Sequence, residues 1–299
     1  MKTFLTRNST SIVVLLSLLV GFLFPTVGLI WGNYLGVLLI LLMFFSFLRI
    51  NTQETKQSLR NLRPIGFALL MVCFFLPLFA LPAKIIFPPV IFAGIVLAFA
   101  SPSAVVTAFW TRIFKGDIAF ALVITVMVTL LAVVTIPVTM LLETGTTVGM
   151  DLGALVRLLA ELVLIPVLAV FLLKRAVSIR WEGITKNMHA VELLIVFLLV
   201  WGSIAPGTGT VENDPVQFLS LSIFILFFIA LGFSMAYLLG KKFGYGRAIA
   251  TGIATCVKNA GLSLVIGLSV FKSAVLPPLI ANLVVQNLLI VSLELLFRE

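Results

Sequence analysis

Apolar residues run through this chain in long blocks, without the alternation of a half-buried strand or the one-sided stripe of a soluble helix, and short stretches rich in charge, glycine or proline separate them. Blocks of about 17–25 apolar residues can cross the hydrocarbon core of a bilayer as helices. Ten are predicted, at 11–31, 33–49, 65–82, 86–112, 118–141, 152–173, 189–206, 216–239, 247–271 and 274–297. Composition agrees with that pattern. With 62% hydrophobic and 10% charged residues over 299 positions, the chain lies outside the range of soluble domains. The expected class is an all-α polytopic membrane protein, a single membrane domain over 1–299. No polar stretch exceeds the one between Arg49 and Pro64, so no domain outside the membrane is expected. The N-terminal run has the charged start of a signal peptide but no small-x-small cleavage site, and it reads as the first span.

Charge then orients the spans. The formal net charge is +9, and in a membrane protein a Lys/Arg excess marks the cytoplasmic loops; it does not imply nucleic acid. With ten spans and an internal N-terminus, sixteen Lys and Arg residues fall on the cytoplasmic side, Lys84 and Lys272 fall outside, and Arg157 and Lys258 fall within spans. Merging or splitting any one span would invert the pattern downstream. A multi-pass protein of the cell membrane with both termini cytoplasmic is expected.

Five spans per half is an odd number, so homologous halves at 8–141 and 152–297 would be inverted relative to each other. A shift of 157 residues carries Ile113-Phe114-Lys115-Gly116 onto Val270-Phe271-Lys272-Ser273 and Ser101-Pro102-Ser103 onto Lys258-Asn259-Ala260. Spans 4 and 9 are therefore read as counterparts, each interrupted near its middle. Pro102 removes a backbone donor, while Asn259-Ala260-Gly261 tolerates a break. Non-helical backbone at bilayer depth is acceptable only inside protein or beside a wet cavity, and paired breaks in inverted repeats point to a transporter site at the midplane. The plain alternative for Pro102 is a kink in a packed bundle.

Lys258 lies about 16 Å along span 9 from its start, near the middle of the hydrocarbon core. A lysine there costs about 2.5–3.5 kcal/mol even on insertion scales, so it must be paired, solvated or functional. Its plain alternative is a structural ion pair. Glu161 is the one carboxylate read as deep in a span, four residues after Arg157, a spacing that lets the two satisfy each other. Glu192, His189 and Glu294 lie near span ends, where solvation suffices, and Asp117 reads as an anion at the start of span 5. Cys73 and Cys256 lie in apolar segments without metal or disulfide spacing. One histidine, no nucleophile elbow and no phosphate loop leave no catalytic or metal site to expect.

Ten spans in two inverted halves, the segment SPSAVVTAFWTRIFKGDIAFALVIT at 101–125 and KNAGLSLVIGL at 258–268 together resemble the bile acid:sodium symporter family. The resemblance implies crossing, broken helices 4 and 9, a panel of spans 1, 2, 6 and 7, and a core of spans 3, 4, 5, 8, 9 and 10. It also implies alternating-access transport of an organic anion, a bile acid, steroid conjugate or small carboxylate. The chain departs from the family where the resemblance would place sodium. Ala254 stands for a glutamate, Lys258 for a glutamine, Thr107 and Ala108 for a Ser-Asn pair, Ala121 and Thr125 for Ser and Thr, and Val72 for a span-3 glutamine.

Two hydroxyls survive from that oxygen set, so no cofactor is expected and both sodium sites read as lost, with Lys258 supplying their charge. The expected substrate residues are Lys258, Asn259, Ser101, Ser103, Gln286 and Asn287; those for coupling are Lys258, Thr107, Thr125 and Glu161. Gln286 and Asn287 match a polar pair near the family's substrate, or make an interhelical hydrogen bond. Expected partners are the lipid bilayer and a small organic anion. Two other readings stay open at this point: a proton-linked or facilitative carrier of the auxin-efflux type, and a non-transporting sensor on a transporter scaffold. Sequence leaves the oligomeric state undetermined.

Overall fold

The computed structural model describes residues 9–48, 61–104, 106–145, 151–177, 188–271 and 273–296. The loop charges Lys2, Arg7, Arg49, Lys56, Arg60, Arg180, Lys186 and Arg298, together with Lys272, lie outside them, as do the side chains of His189 and Glu294. Among the described residues the protein is helical, and its one β element is an isolated antiparallel bridge between Ser103 and Lys258.

The helices follow the apolar blocks. Helix α1 spans Ser9–Leu23, α2 Pro25–Gly32 and α3 Leu35–Leu48. Helix α4 starts at Leu62–Leu70, passes a π-helical turn at Met71–Phe75 and ends at Leu78; α5 is Ala83–Ile86 and α6 Pro89–Ala100. Then come α7 (Thr107–Ile113), α8 (Ile118–Thr144), α9 (Leu152–Ala176), α10 (His189–Ile204), α11 (Thr208–Asn213) and α12 (Pro215–Gly240). The chain continues as α13 (Tyr245–Cys256), α14 (Ala260–Ile266, running into a π-turn at Gly267–Phe271) and α15 (Leu276–Leu296). Aspartates start three long helices. The side chains of Asp117, Asp151 and Asp214 accept the N–H groups of Phe120, Ala154 and Gln217 at 2.8–3.0 Å, satisfying donors that no helical carbonyl can reach.

Among the described residues, six helical segments are individually long and apolar enough to cross a membrane, or seven with the bent pair α1–α2, against the ten blocks expected. The difference has local causes. The first block, expected as one helix over 11–31, bends by 110° at Phe24-Pro25, because Pro25 has no N–H and pushes Phe24 out of helical geometry (φ −130°, ψ 58°). The indole N–H of Trp201 takes up the carbonyl of Phe24 at 3.1 Å. The blocks at 86–112 and 247–271 are each divided into two short helices, and α3 reaches the edge of the described residues.

Packing divides the helices into two groups. Helices α1, α2, α3, α9 and α10 pack on one another, while α4, α6, α7, α8, α12, α13 and α15 do the same; α8 also lies on α9, and α14 reaches α10 and α3 as well as α15. Helices α6 and α15 meet where Gly94 removes a side chain: a Cβ there would lie 2.8 Å from the carbonyl oxygen of Val275. A Gly94→Val substitution should therefore separate two core helices and cost about 1–3 kcal/mol. Thermal unfolding of the purified protein in detergent checks this; an unchanged midpoint would show that the contact yields.

A candidate transport site at the paired helix breaks

The first interrupted block breaks around Pro102 as expected; the second breaks at Val257-Lys258-Asn259, with Ala260 and Gly261 of the expected break already in α14, and the two breaks meet. Helix α6 ends at Ala100, and the hydroxyl of Ser101 donates to the carbonyl of Leu97 at 2.8 Å. Helix α13 ends at Cys256, and Val257 is extended. The Ala104 N–H donates to Val257 O at 2.9 Å, and the Asn259 N–H to Pro102 O at 2.8 Å. In this antiparallel arrangement the paired residues Ser103 and Lys258 direct their own N–H and C=O groups away from each other. For Lys258 those groups go to one side chain. Its N–H donates to Gln286 Oε1 at 2.8 Å, and Gln286 Nε2 donates back to its carbonyl at 3.1 Å. Gln286 thus acts as a third strand made of one amide. Asn259 caps α14, its side chain accepting the Leu262 N–H at 3.1 Å. On the α13–α14 side of the junction, the carbonyl of Val257, both backbone groups of Lys258 and the N–H of Asn259 thus have protein partners.

The Lys258 side chain is completely buried, and its ammonium donates to the carbonyl oxygen of Val72 at 3.1 Å. That carbonyl is free for a reason legible in the backbone. In the π-turn of α4 the Leu76 N–H bonds to Met71 O, one residue further back than in an α-helix, so it passes over Val72. The next donor in π register would come from residue 77, which is Pro77 and has none. Lys258 fills the vacancy. The ion pairs among the described residues are Arg157–Glu161 and Arg247–Asp117, so the partner of this ammonium is a carbonyl and not a carboxylate. The structural ion pair considered for Lys258 is replaced by a charge–dipole contact.

Beside the bridge lies a cavity of about 380 Å³. Its polar lining comes from Ser46, Glu192, Lys258, Asn259, Gln286 and Asn287; Val14, Leu42, Met43, Phe109, Val196 and Leu199 are among its apolar walls. The structure thus brings Lys258, Asn259, Gln286 and Asn287 together at one cavity. Ser101, Ser103, Thr107 and Thr125 are buried near it without lining it. Ser103 donates to Thr125 Oγ1 at 3.3 Å, and that hydroxyl donates to Ala121 O at 2.9 Å. The hydroxyl of Thr107 has no hydrogen-bond partner.

Glu161 is elsewhere. It pairs with Arg157 on the outer face of α9, where its side chain is 48% exposed, so it faces away from the cavity rather than into the protein. Among the described residues the buried carboxylates are Glu143 and Glu192. Helix α8 runs past Pro137 to Thr144, three residues beyond the expected span end at 141, and carries Glu143 inside. Glu192 lies in the first turn of α10 but points its face at the cavity, where end-of-span solvation was expected. Asn282 also escaped sequence reasoning, although it stands four residues before Gln286 and shares its helix face. It is fully buried, and neither its oxygen nor its nitrogen has a partner.

The sequence profile described as the Sodium Bile acid symporter family matches residues 36–213. The chain belongs to this family. Two proteins of Bacillus subtilis strain 168 are similar over most of both chains. One, described as uncharacterized protein YbaS, is 24% identical over 255 residues, 82% of this chain and 82% of its own. The other, described as uncharacterized sodium-dependent transporter YocS, is 24% identical over 263 residues, 87% of this chain and 81% of its own. As a member of the sodium bile acid symporter family, this chain is a multi-pass membrane transporter of a small molecule and not an enzyme. Lys258 and Gln286 both lie beyond the matched segment, in the part of this family member that carries the second break.

Two substitutions one turn apart on α15 should have opposite signs. Gln286→Leu strips the buried N–H of Lys258 of its acceptor and should destabilise the protein by about 1–3 kcal/mol; Asn282→Leu removes an amide that has no partner and should stabilise it by a similar amount. Thermal midpoints in one detergent compare them. A loss of stability in Asn282→Leu would mean that ordered water holds that amide.

Proposed function

We propose that this protein moves a small organic anion by alternating access without sodium, the ammonium of Lys258 holding permanently the place that the ion holds in sodium-coupled members. The observation that carries the reading is the contact of Lys258 Nζ with Val72 O at the junction of both helix breaks. A fixed positive charge repels a second cation, and sodium needs several oxygen ligands. The oxygen set does not fit sodium. Ala108, Ala121 and Ala254 offer no side-chain oxygen, and Thr125 is committed to Ser103 and Ala121.

The cavity supports the substrate class. Its walls are largely apolar, three of its six polar lining residues are amides, its one carboxylate is Glu192, at the start of α10, and Lys258 contributes the wall behind which its charge lies. An amphipathic anion gains both burial and a favourable potential there. The two packing groups of helices support a panel of spans 1, 2, 6 and 7 against a core of spans 3, 4, 5, 8, 9 and 10, in two inverted repeats of five spans. With both termini cytoplasmic, Ser46 near the end of α3 and Glu192 at the start of α10 put the cavity on the cytoplasmic side, an inward-facing state.

Counterflow of labelled organic anions into proteoliposomes tests the reading, with sodium replaced throughout by choline. The expected rate is unchanged by the replacement, and Lys258→Met is expected to lower it at least tenfold. A strict sodium requirement, as the name of the YocS protein would have it, sinks the proposal.

A further inference from the structure

Helix α9 buries Leu155, Leu159, Leu162, Pro166 and Val170 and packs on α3 and α8. Its opposite face is turned away from the rest of the protein and carries Arg157, Glu161, Ile165, Leu168 and Leu172, spaced so as to form one stripe. The stripe is apolar except for one ion pair. Arg157 Nε donates to Glu161 Oε1 at 3.0 Å, with the arginine side chain 84% exposed.

Depth makes this pair unusual. Lys174 and Arg175 mark the C-terminal end of the span, and about twenty residues back from them cover a ~30 Å hydrocarbon core. That count puts Glu161 about 10 Å inside the other boundary. A glutamate side chain is too short to reach the surface from there. Arg157, which is long enough to snorkel outward, turns to the glutamate instead. Pairing reduces the cost of the two charges but does not remove it, because the one hydrogen bond between them leaves four of the five guanidinium donors and the second carboxylate oxygen unused, on side chains that stay 84% and 48% exposed. Bare lipid tails would leave them so.

We propose that this face of α9 is the interface with a second copy of the chain, in which Arg157 of each copy bonds the partner's Glu161. Two copies in one membrane, related by a two-fold axis along its normal, hold equal residues at equal depth. Arg157 and the partner's Glu161 are then offset by four residues, about 6 Å along the axis, which is the offset Arg157 already spans within its own helix. The charge pattern is complementary to itself without rearrangement. Four charges in a closed ring use the outward donors and acceptors that a single copy leaves over, and Ile165, Leu168 and Leu172 close the contact below it.

Differently tagged copies, co-expressed and reconstituted in lipid nanodiscs, test the interface by co-purification. Wild-type copies are expected to co-purify. Two copies that both carry Arg157→Glu should not, nor should two that both carry Glu161→Arg, since each puts like charges at the contact. One copy of each variant should restore association, which a purely intrachain pair cannot explain. In case the reversed variants fold poorly, Ile165→Cys in the wild-type background should give a cross-linked dimer in intact membranes. Wild-type protein that stays monomeric with a phospholipid retained at each α9 would assign the face to a lipid headgroup and overturn the proposal. Association unaffected by any variant, or no cross-link through residue 165, would overturn it as well.

Discussion

A single carbonyl left without a helical donor organises the centre of this protein. Pro77 and the π-turn before it together deprive the buried Val72 O of a backbone partner. Lys258 supplies the donor from the far side of the fold, 186 residues away in sequence. A charge-assisted hydrogen bond of this kind contributes about 1.5–3 kcal/mol, less than the cost of burying an ammonium alone. Beside the contact the two breaks are joined by backbone bonds, Ala104 to Val257 and Asn259 to Pro102.

That pairing explains how two helices can break inside a membrane protein. Neither break could be stable alone, since each exposes backbone groups that lipid cannot bond. Placed edge to edge, they form the smallest possible antiparallel ladder, closed on one side by residues 102–104 and on the other by the amide of Gln286. A glutamine is suited to that place because its side chain carries the same donor and acceptor as a peptide group. The paired breaks hold one wall of the cavity.

Around this junction the interior is not uniformly satisfied. Asn282 and the hydroxyls of Thr107 and Thr111 are buried near the breaks without hydrogen-bond partners, whereas Ser101, Ser203 and Thr255 return theirs to the preceding helical turn. Trp31 Nε1 on α2 and Glu143 Oε2 near the end of α8 are buried without partners as well, so such groups are not confined to the breaks.

The apolar blocks, with the proline at 102 and the Asn-Ala-Gly run at 259–261, were enough to announce a polytopic helical protein with two interrupted helices and a lysine at depth. Those features are local: block length, missing donors and tolerance of a break are properties of a few consecutive residues. Residue type could not say where Lys258 would point, because its partner is a backbone carbonyl, and every residue has one. Nor could it show that Gln286 is spent on backbone, that Glu143 and Glu192 are the buried carboxylates, or that Glu161 faces outward. Burial and partnership belong to pairs of distant segments. The chain by itself determined which helices form and where they fail; the tertiary structure decided what each freed group meets, since only packing brings Val72, Ser103, Lys258 and Gln286 to one point.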